Sequence, residues 1–169
     1  MSRIACIGTR EVPRELQGIL KNIGRYLVQQ GYIISTGNAY GADSLFAKGG
    51  NKINPAAVEL HLPWRNYNPE QVMPGNKIFQ DGDIPEYQEL AAQLHPNWFN
   101  LKRSVQALHA RNVGIMKGTS SVIALPNWQK TGGGGTGMGL RIARHYNIPI
   151  FDLTQFEVLN RIMTKVMAQ

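Results

Sequence analysis

Three short stretches of this chain combine glycine with groups that hold phosphate, sugar or base. Gly8-Thr9-Arg10 sets a turn, a hydroxyl and a guanidinium side by side. Arginine is the best single side chain for bidentate contact with phosphate. Thr36-Gly37-Asn38-Ala39-Tyr40-Gly41-Ala42-Asp43 adds an amide, a phenol and a carboxylate among glycines. Asp43 or Asn38 suits a ribose hydroxyl, and Tyr40 suits stacking on a base. In the third stretch, six of the eight residues from Gly132 to Gly139 are glycine. Glycine at that density is costly to order, so bare backbone is what the chain needs there. Backbone N–H groups at a helix N-terminus are suited to phosphate. Each stretch also has a plainer reading. Arg10 can pair with Glu11 or Glu15 at the surface, Asp43 can favour a helix start, and the glycine run can be a flexible linker.

Other chemistries find less support. Gly132, Gly134 and Gly137 spell G-x-G-x-x-G, but that fingerprint belongs after a first strand with an acid about 20 residues on. No G-x-x-x-x-G-K-[ST] occurs, which argues against P-loop NTPase chemistry. His61, His95, His109 and His145 are scattered without metal spacing. Asp81, Asp83 and Glu86 read more readily as a solvated turn than as a metal site. Trp64, Trp98 and Trp128 border loops, where packing is the default and base stacking the alternative. Cys6, the one cysteine, lies in an apolar run and reads as a core thiol. No metal or cofactor is expected, and no catalytic residue is assigned.

The elements that must position these groups follow from periodicity. Residues 3–7 predict a buried strand ending at Gly8, and 14–30 an amphipathic helix stopped by Gly31. A strand over 32–35, a helix over 41–48 closed by Gly49-Gly50, and a strand over 57–62 come next. Residues 63–96 hold many prolines and predict a loop-rich insert with one helix at Pro85–Leu94. A helix over 101–116, a strand over 121–125, a helix over 138–146, a strand over 148–151 and a helix over 155–167 complete the chain. Alternation of this kind predicts an α/β fold, a Rossmann-like three-layer sandwich with a mainly parallel sheet and helices on both faces. The expected organisation is a single domain over 1–169. All three glycine-bearing turns then fall at carboxyl ends of strands, where such sheets bind ligands.

Bulk properties agree with a folded binder of anions. The chain has 169 residues, 43% hydrophobic and 17% charged, and a net charge of +7. That charge favours nucleotides, nucleic acid or another acidic partner over neutral ones. No stretch could span a membrane and no signal segment is evident, so a cytoplasmic protein without membrane contact is expected. An exposed helical face makes a homo-oligomer the expectation.

Ile7-Gly8-Thr9-Arg10 and Ser35 to Asp43 resemble the G-[ST]-R and S-G-x-A-x-G-x-D signatures of the DprA/Smf family. Ala110-Arg111-Asn112 is similar to that family's R-N element. The glycine run with its following helix resembles the G-G-x-G-T loop of Lonely Guy (LOG) proteins. Both families lie in the SLOG superfamily of Rossmann-like domains, and the order of elements agrees from residue 1 to about 153. The resemblance implies binding of nucleotides, nucleotide-derived signals or single-stranded DNA. It implies a pocket lined by Gly8, Thr9, Arg10, Gly37, Gly41, Asp43, Gly133, Gly134, Gly135 and Thr136. The residue types add Asn38 and Tyr40 to that set.

Two departures matter. LOG enzymes cleave the N-glycosidic bond of nucleotides with a glutamate shortly after the loop threonine, and here Gly137-Met138-Gly139-Leu140 follows Thr136. A general acid/base is therefore missing from its expected place. DprA proteins carry flanking domains for which this chain has no room. The first expectation is a stand-alone binder of a nucleotide or phosphorylated small molecule. The alternatives are a LOG-like nucleotide N-glycosidase, with Glu59 or Asp43 in the glutamate's role, and a DprA-like binder of single-stranded DNA.

Overall fold

Short apolar runs stopped by glycine or proline become the strands, and amphipathic segments become the helices. The computed structural model describes residues 2–130 and 135–168. The strands are β1 (Arg3–Gly8), β2 (Ile33–Thr36), β3 (Val58–Leu62), β4 (Lys77–Gln80), β5 (Ser121–Leu125) and β6 (Ile150–Asp152). The helices are α1 (Arg14–Gln29), α2 (Ala42–Asn51), α3 (Pro85–Leu94), α4 (Arg103–Met116), α5 (Thr136–His145) and α6 (Phe156–Met167). The strands form one sheet in the order β4-β3-β2-β1-β5-β6. Every pairing is parallel. This is an α/β, Rossmann-like arrangement.

Strand alternation sends Ile4, Cys6, Ile34, Ile123 and Leu125 into a core shared with α1, α2 and α6. Ala5, Ile7, Val122 and Ala124 face the other way, onto α3, α4 and α5. Both sheet faces are covered, as a parallel sheet requires. Burial also pushes the Cys6 thiol pKa up, which keeps it protonated and inert. From β1 the sheet grows outward through β2, β3 and β4 on one side and through β5 and β6 on the other. The order thus reverses between β1 and β5. Such a reversal opens a crevice beyond the carboxyl ends of the two strands.

The expected elements are present, with three instructive differences. First, α2 runs through Gly49-Gly50 rather than stopping there. A Cβ on Gly24 of α1 would strike the Phe46 carbonyl, and one on Gly49 would strike the Lys21 carbonyl. These glycines let two helix backbones touch, which overrides their tendency to end a helix. Second, the 63–96 segment contains β4, which the sequence did not predict. Its four residues are all exposed at the sheet edge, so only pairing with β3 marks them as a strand. Third, α5 begins two residues earlier than expected, at Thr136.

Asp81 corrects the reading of the acidic cluster as a solvated turn. It is buried, and its carboxylate bonds the Nδ1 of buried His61 on β3. Asp83 and Glu86 remain exposed. The pairing of β4 with β3 brings the Asp81 amide onto the Leu62 carbonyl and so sets the acid beside the ring. Among the described residues, no helix is long and apolar enough to cross a membrane.

Candidate functional site

At the reversal point lies a cleft of about 380 Å³. Its floor is Ile7 and Gly8 at the end of β1. One wall is the turn Thr9-Arg10-Glu11 with Ala39 and Asp43. A second is α4, which contributes Val105, Leu108, His109, Arg111, Asn112 and Ile115. The third comes from beyond β5: Asn127, Lys130, Gly135, Thr136 and Gly139.

The β1 turn is held by backbone bonds, Thr9 N–H to Leu125 O at 2.8 Å and Ala42 N–H to Thr9 O at 3.0 Å. Arg10 follows, exposed, and no described group bonds its guanidinium. The chain reaches Asp43 through Gly41, whose φ of +86° is left-handed backbone suited to glycine. A Cβ on Gly41 would also press 2.5 Å from the Arg10 backbone. Gly41 thus lets the first and second turns touch.

Asp43 is buried, and its Oδ2 accepts the N–H groups of Gly37 (3.2 Å) and Ala39 (3.3 Å). Its Oδ1 is bonded by no described group. Burial raises its pKa from 3.8 to about 6, against the opposing pull of Arg111, the two N–H bonds and Arg10. Arg111 reaches across from α4. Its guanidinium donates to Gly37 O and to His61 O, while its Nε donates to Asn112 Oδ1 at 3.1 Å. The Tyr67 ring lies 5.5 Å from the guanidinium carbon. An arginine so placed is a fixed charge behind Asp43 rather than a free arm. A Cβ on Gly37 would come within 2.8 Å of Arg111 and 2.9 Å of Asp43, so glycine makes room for both.

The expected binding residues divide. Gly8, Thr9, Arg10, Asp43, Gly135 and Thr136 line one cleft. Gly37 and Gly41 stand just behind it, shaping the approach of Asp43 and Arg10. Gly133 and Gly134 lie outside the described residues. Asn38 and Tyr40 turn away from the cleft. Buried Asn38 donates from Nδ2 to Tyr67 O (3.0 Å) and Asn68 O (3.1 Å), while its own carbonyl accepts Gln71 Nε2 at 2.8 Å. It clasps the 63–96 segment. Tyr40 is half-exposed and donates its hydroxyl to Glu70 on that same segment. Glu59, one candidate for the missing acid, is bonded to Arg3 at 2.7 Å in a separate cleft with His61, Phe79 and Tyr87.

Several cleft residues lie outside the set expected to bind. Val105, Leu108, His109 and Asn112 recur at three- and four-residue intervals on α4, which turns them to one side of the helix. Asn127 and Lys130 follow the carboxyl end of β5, where the rule for parallel sheets already points. Burial, with the nearby His95 and the cations Arg141 and Arg111, lowers the His109 pKa to about 4. It therefore faces the cleft as a neutral ring at physiological pH. Lys130 and Glu11 lie 3.4 Å apart across two walls, a solvent-exposed pair of little energetic weight.

No family model and no curated protein matches the sequence. Solved structures do match. DNA processing protein A from Helicobacter pylori, whose structure describes a single-stranded DNA binding mode, is 18% identical with a TM-score of 0.60, over 99% of this chain and 74% of that one. The structural-genomics target TM1055 is 16% identical with a TM-score of 0.58, over 89% of this chain and 72% of that one. The Moco carrier protein of Chlamydomonas rheinhardtii is 16% identical with a TM-score of 0.55, over 99% of this chain and 84% of that one. The chain thus shares the Rossmann-like α/β fold of these three proteins.

Proposed function

We propose that the cleft between β1 and β5 binds a nucleotide or a nucleotide-derived phosphorylated ligand. The observation that carries this reading is the convergence of three turns on one crevice at the point where the strand order reverses. Arg10 and the amino end of α5 at Gly135-Thr136 supply charge and N–H groups for phosphate. Asp43 Oδ1 is an acceptor for a ribose hydroxyl. Val105, Leu108 and Ile115 offer an apolar wall for a flat base. The single-stranded DNA binding named for one structural neighbour supports a site for a phosphate-bearing ligand.

Arg10→Ala tests the reading directly. Arg10 is exposed and bonds no described group, so the substitution should leave stability within about 0.5 kcal/mol. Affinity for a nucleoside monophosphate, measured by calorimetry, should fall about tenfold or more through loss of a charge-assisted contact. Unchanged affinity would remove the assignment. The same titration with a single-stranded oligonucleotide separates a mononucleotide site from a strand-binding one.

Asp43 favours a second reading, cleavage of the N-glycosidic bond. With a pKa near 6 it is protonated in a useful fraction of molecules near neutral pH, as a general acid requires. It would pass its proton to the departing base nitrogen as the C–N bond breaks, and water would add to the anomeric carbon. Incubation with nucleoside monophosphates should then release free base, and Asp43→Asn should abolish the release. No free base by chromatography across the common nucleotides leaves binding as the function.

A further inference from the structure

We infer that the cleft selects a base bearing an exocyclic oxygen, an oxo-purine or oxo-pyrimidine, over its amino counterpart. The inference rests on the nucleotide reading above. What sets the choice is the polarity of Asn112 on the α4 wall.

An asparagine free to turn offers either an acceptor or a pair of donors. Asn112 lacks that freedom. Arg111 Nε carries a hydrogen and can only donate, and it lies 3.1 Å from the side-chain oxygen of Asn112. That contact assigns the amide: Oδ1 toward Arg111, Nδ2 away from it. Arg111 cannot swing aside, because its other end is bonded to Gly37 O and His61 O beneath the Tyr67 ring. Asn112 lines the cleft, and no described residue takes its Nδ2 hydrogens. The α4 wall therefore presents an N–H donor with a fixed sign.

Around that donor the α4 wall is apolar or uncharged except for Arg111, whose guanidinium is committed to Gly37 O and His61 O. Leu108 and Val105 lie one and two turns before Asn112, and Ile115 one turn after it. His109 is held neutral by burial and by its basic neighbours. A base laid on this face meets Asn112 Nδ2 along its edge. A carbonyl oxygen there accepts the bond. An exocyclic amino group sets donor against donor and leaves both unpaired in a partly desolvated site. Hypoxanthine against adenine, and uracil against cytosine, differ at this kind of position with little change of shape.

The test measures IMP, AMP, UMP and CMP binding to the full chain and to two variants by calorimetry. The expected result is that IMP exceeds AMP, and UMP exceeds CMP, each by about tenfold, the usual worth of one hydrogen bond set against its loss. Asn112→Asp keeps an oxygen for Arg111 and turns an acceptor toward the base, so both ratios should shrink or invert. Any effect of its added charge on phosphate falls equally on the two members of a pair and cancels in the ratio. Arg10→Ala should weaken all four ligands and leave both ratios unchanged. Equal affinities in the parent protein, or ratios that Asn112→Asp does not move, would overturn the inference while the Arg10 effect keeps the nucleotide reading intact. Failure of all four nucleotides to bind overturns both.

Discussion

Arg111→Met will destabilise the protein by about 3–5 kcal/mol, because it takes the donor from two buried carbonyls and the offsetting cation from buried Asp43. Methionine has similar length and no charge, so shape is roughly kept while three donor contacts vanish. Gly37 O and His61 O lose a partner inside the protein, and a buried carbonyl left unpaired costs about 1–3 kcal/mol. Asp43 loses the cation that most offsets its burial. The measurement is the unfolding free energy from a denaturant titration, and a loss below about 1 kcal/mol would contradict the role given to Arg111. Asp43→Asn should stabilise Arg111→Met by more than it stabilises the parent, because the carboxylate is stranded once Arg111 is gone. Additive effects of the two substitutions would mean that the groups do not interact.

That prediction depends on contacts between residues 74 and 50 positions apart, and such contacts mark the limit of what the sequence discloses. The alternation of strand and helix is local in origin. Ile4-Ala5-Cys6-Ile7 is apolar throughout because β1 is buried on both faces, and Gly8 follows because the chain must turn. From this the parallel sheet and the edge bearing the glycine-containing turns could be read. Roles set by distant neighbours could not. Asn38 has the residue type and the place of a ribose ligand, yet its amide is committed to the carbonyls of Tyr67 and Asn68. Asp81 looks like a surface acid until β4 pairs with β3 and sets it beside His61. Gly49-Gly50 looks like a helix stop until α1 is placed against it. In each case the residue's chemistry was legible and its partner was not.

Asp43→Asn is expected to stabilise the unliganded protein near neutral pH, although it removes a group from the centre of the cleft. Burial raises the carboxyl pKa from 3.8 to about 6 in the folded protein. Between those two values the folded state binds more protons than the unfolded state. Its stability therefore falls as pH rises from about 4 to about 6 and levels off above, where both states are ionised. A rise of that size corresponds to about 3 kcal/mol withheld from the folded state at pH 7, since tenfold in an acid constant is about 1.4 kcal/mol. An amide in place of the carboxylate still offers an oxygen to the Gly37 and Ala39 N–H groups and carries no charge to desolvate. The difference in stability between variant and parent should thus be large near pH 7 and small near pH 4, and parallel profiles would refute the assignment. A carboxylate that weakens its own fold is best accounted for by what it binds. A ribose hydroxyl donates to the ionised form, so nucleotide affinity of the parent should decline as pH drops below about 6, while the already weak binding of Asp43→Asn should stay flat across the same range.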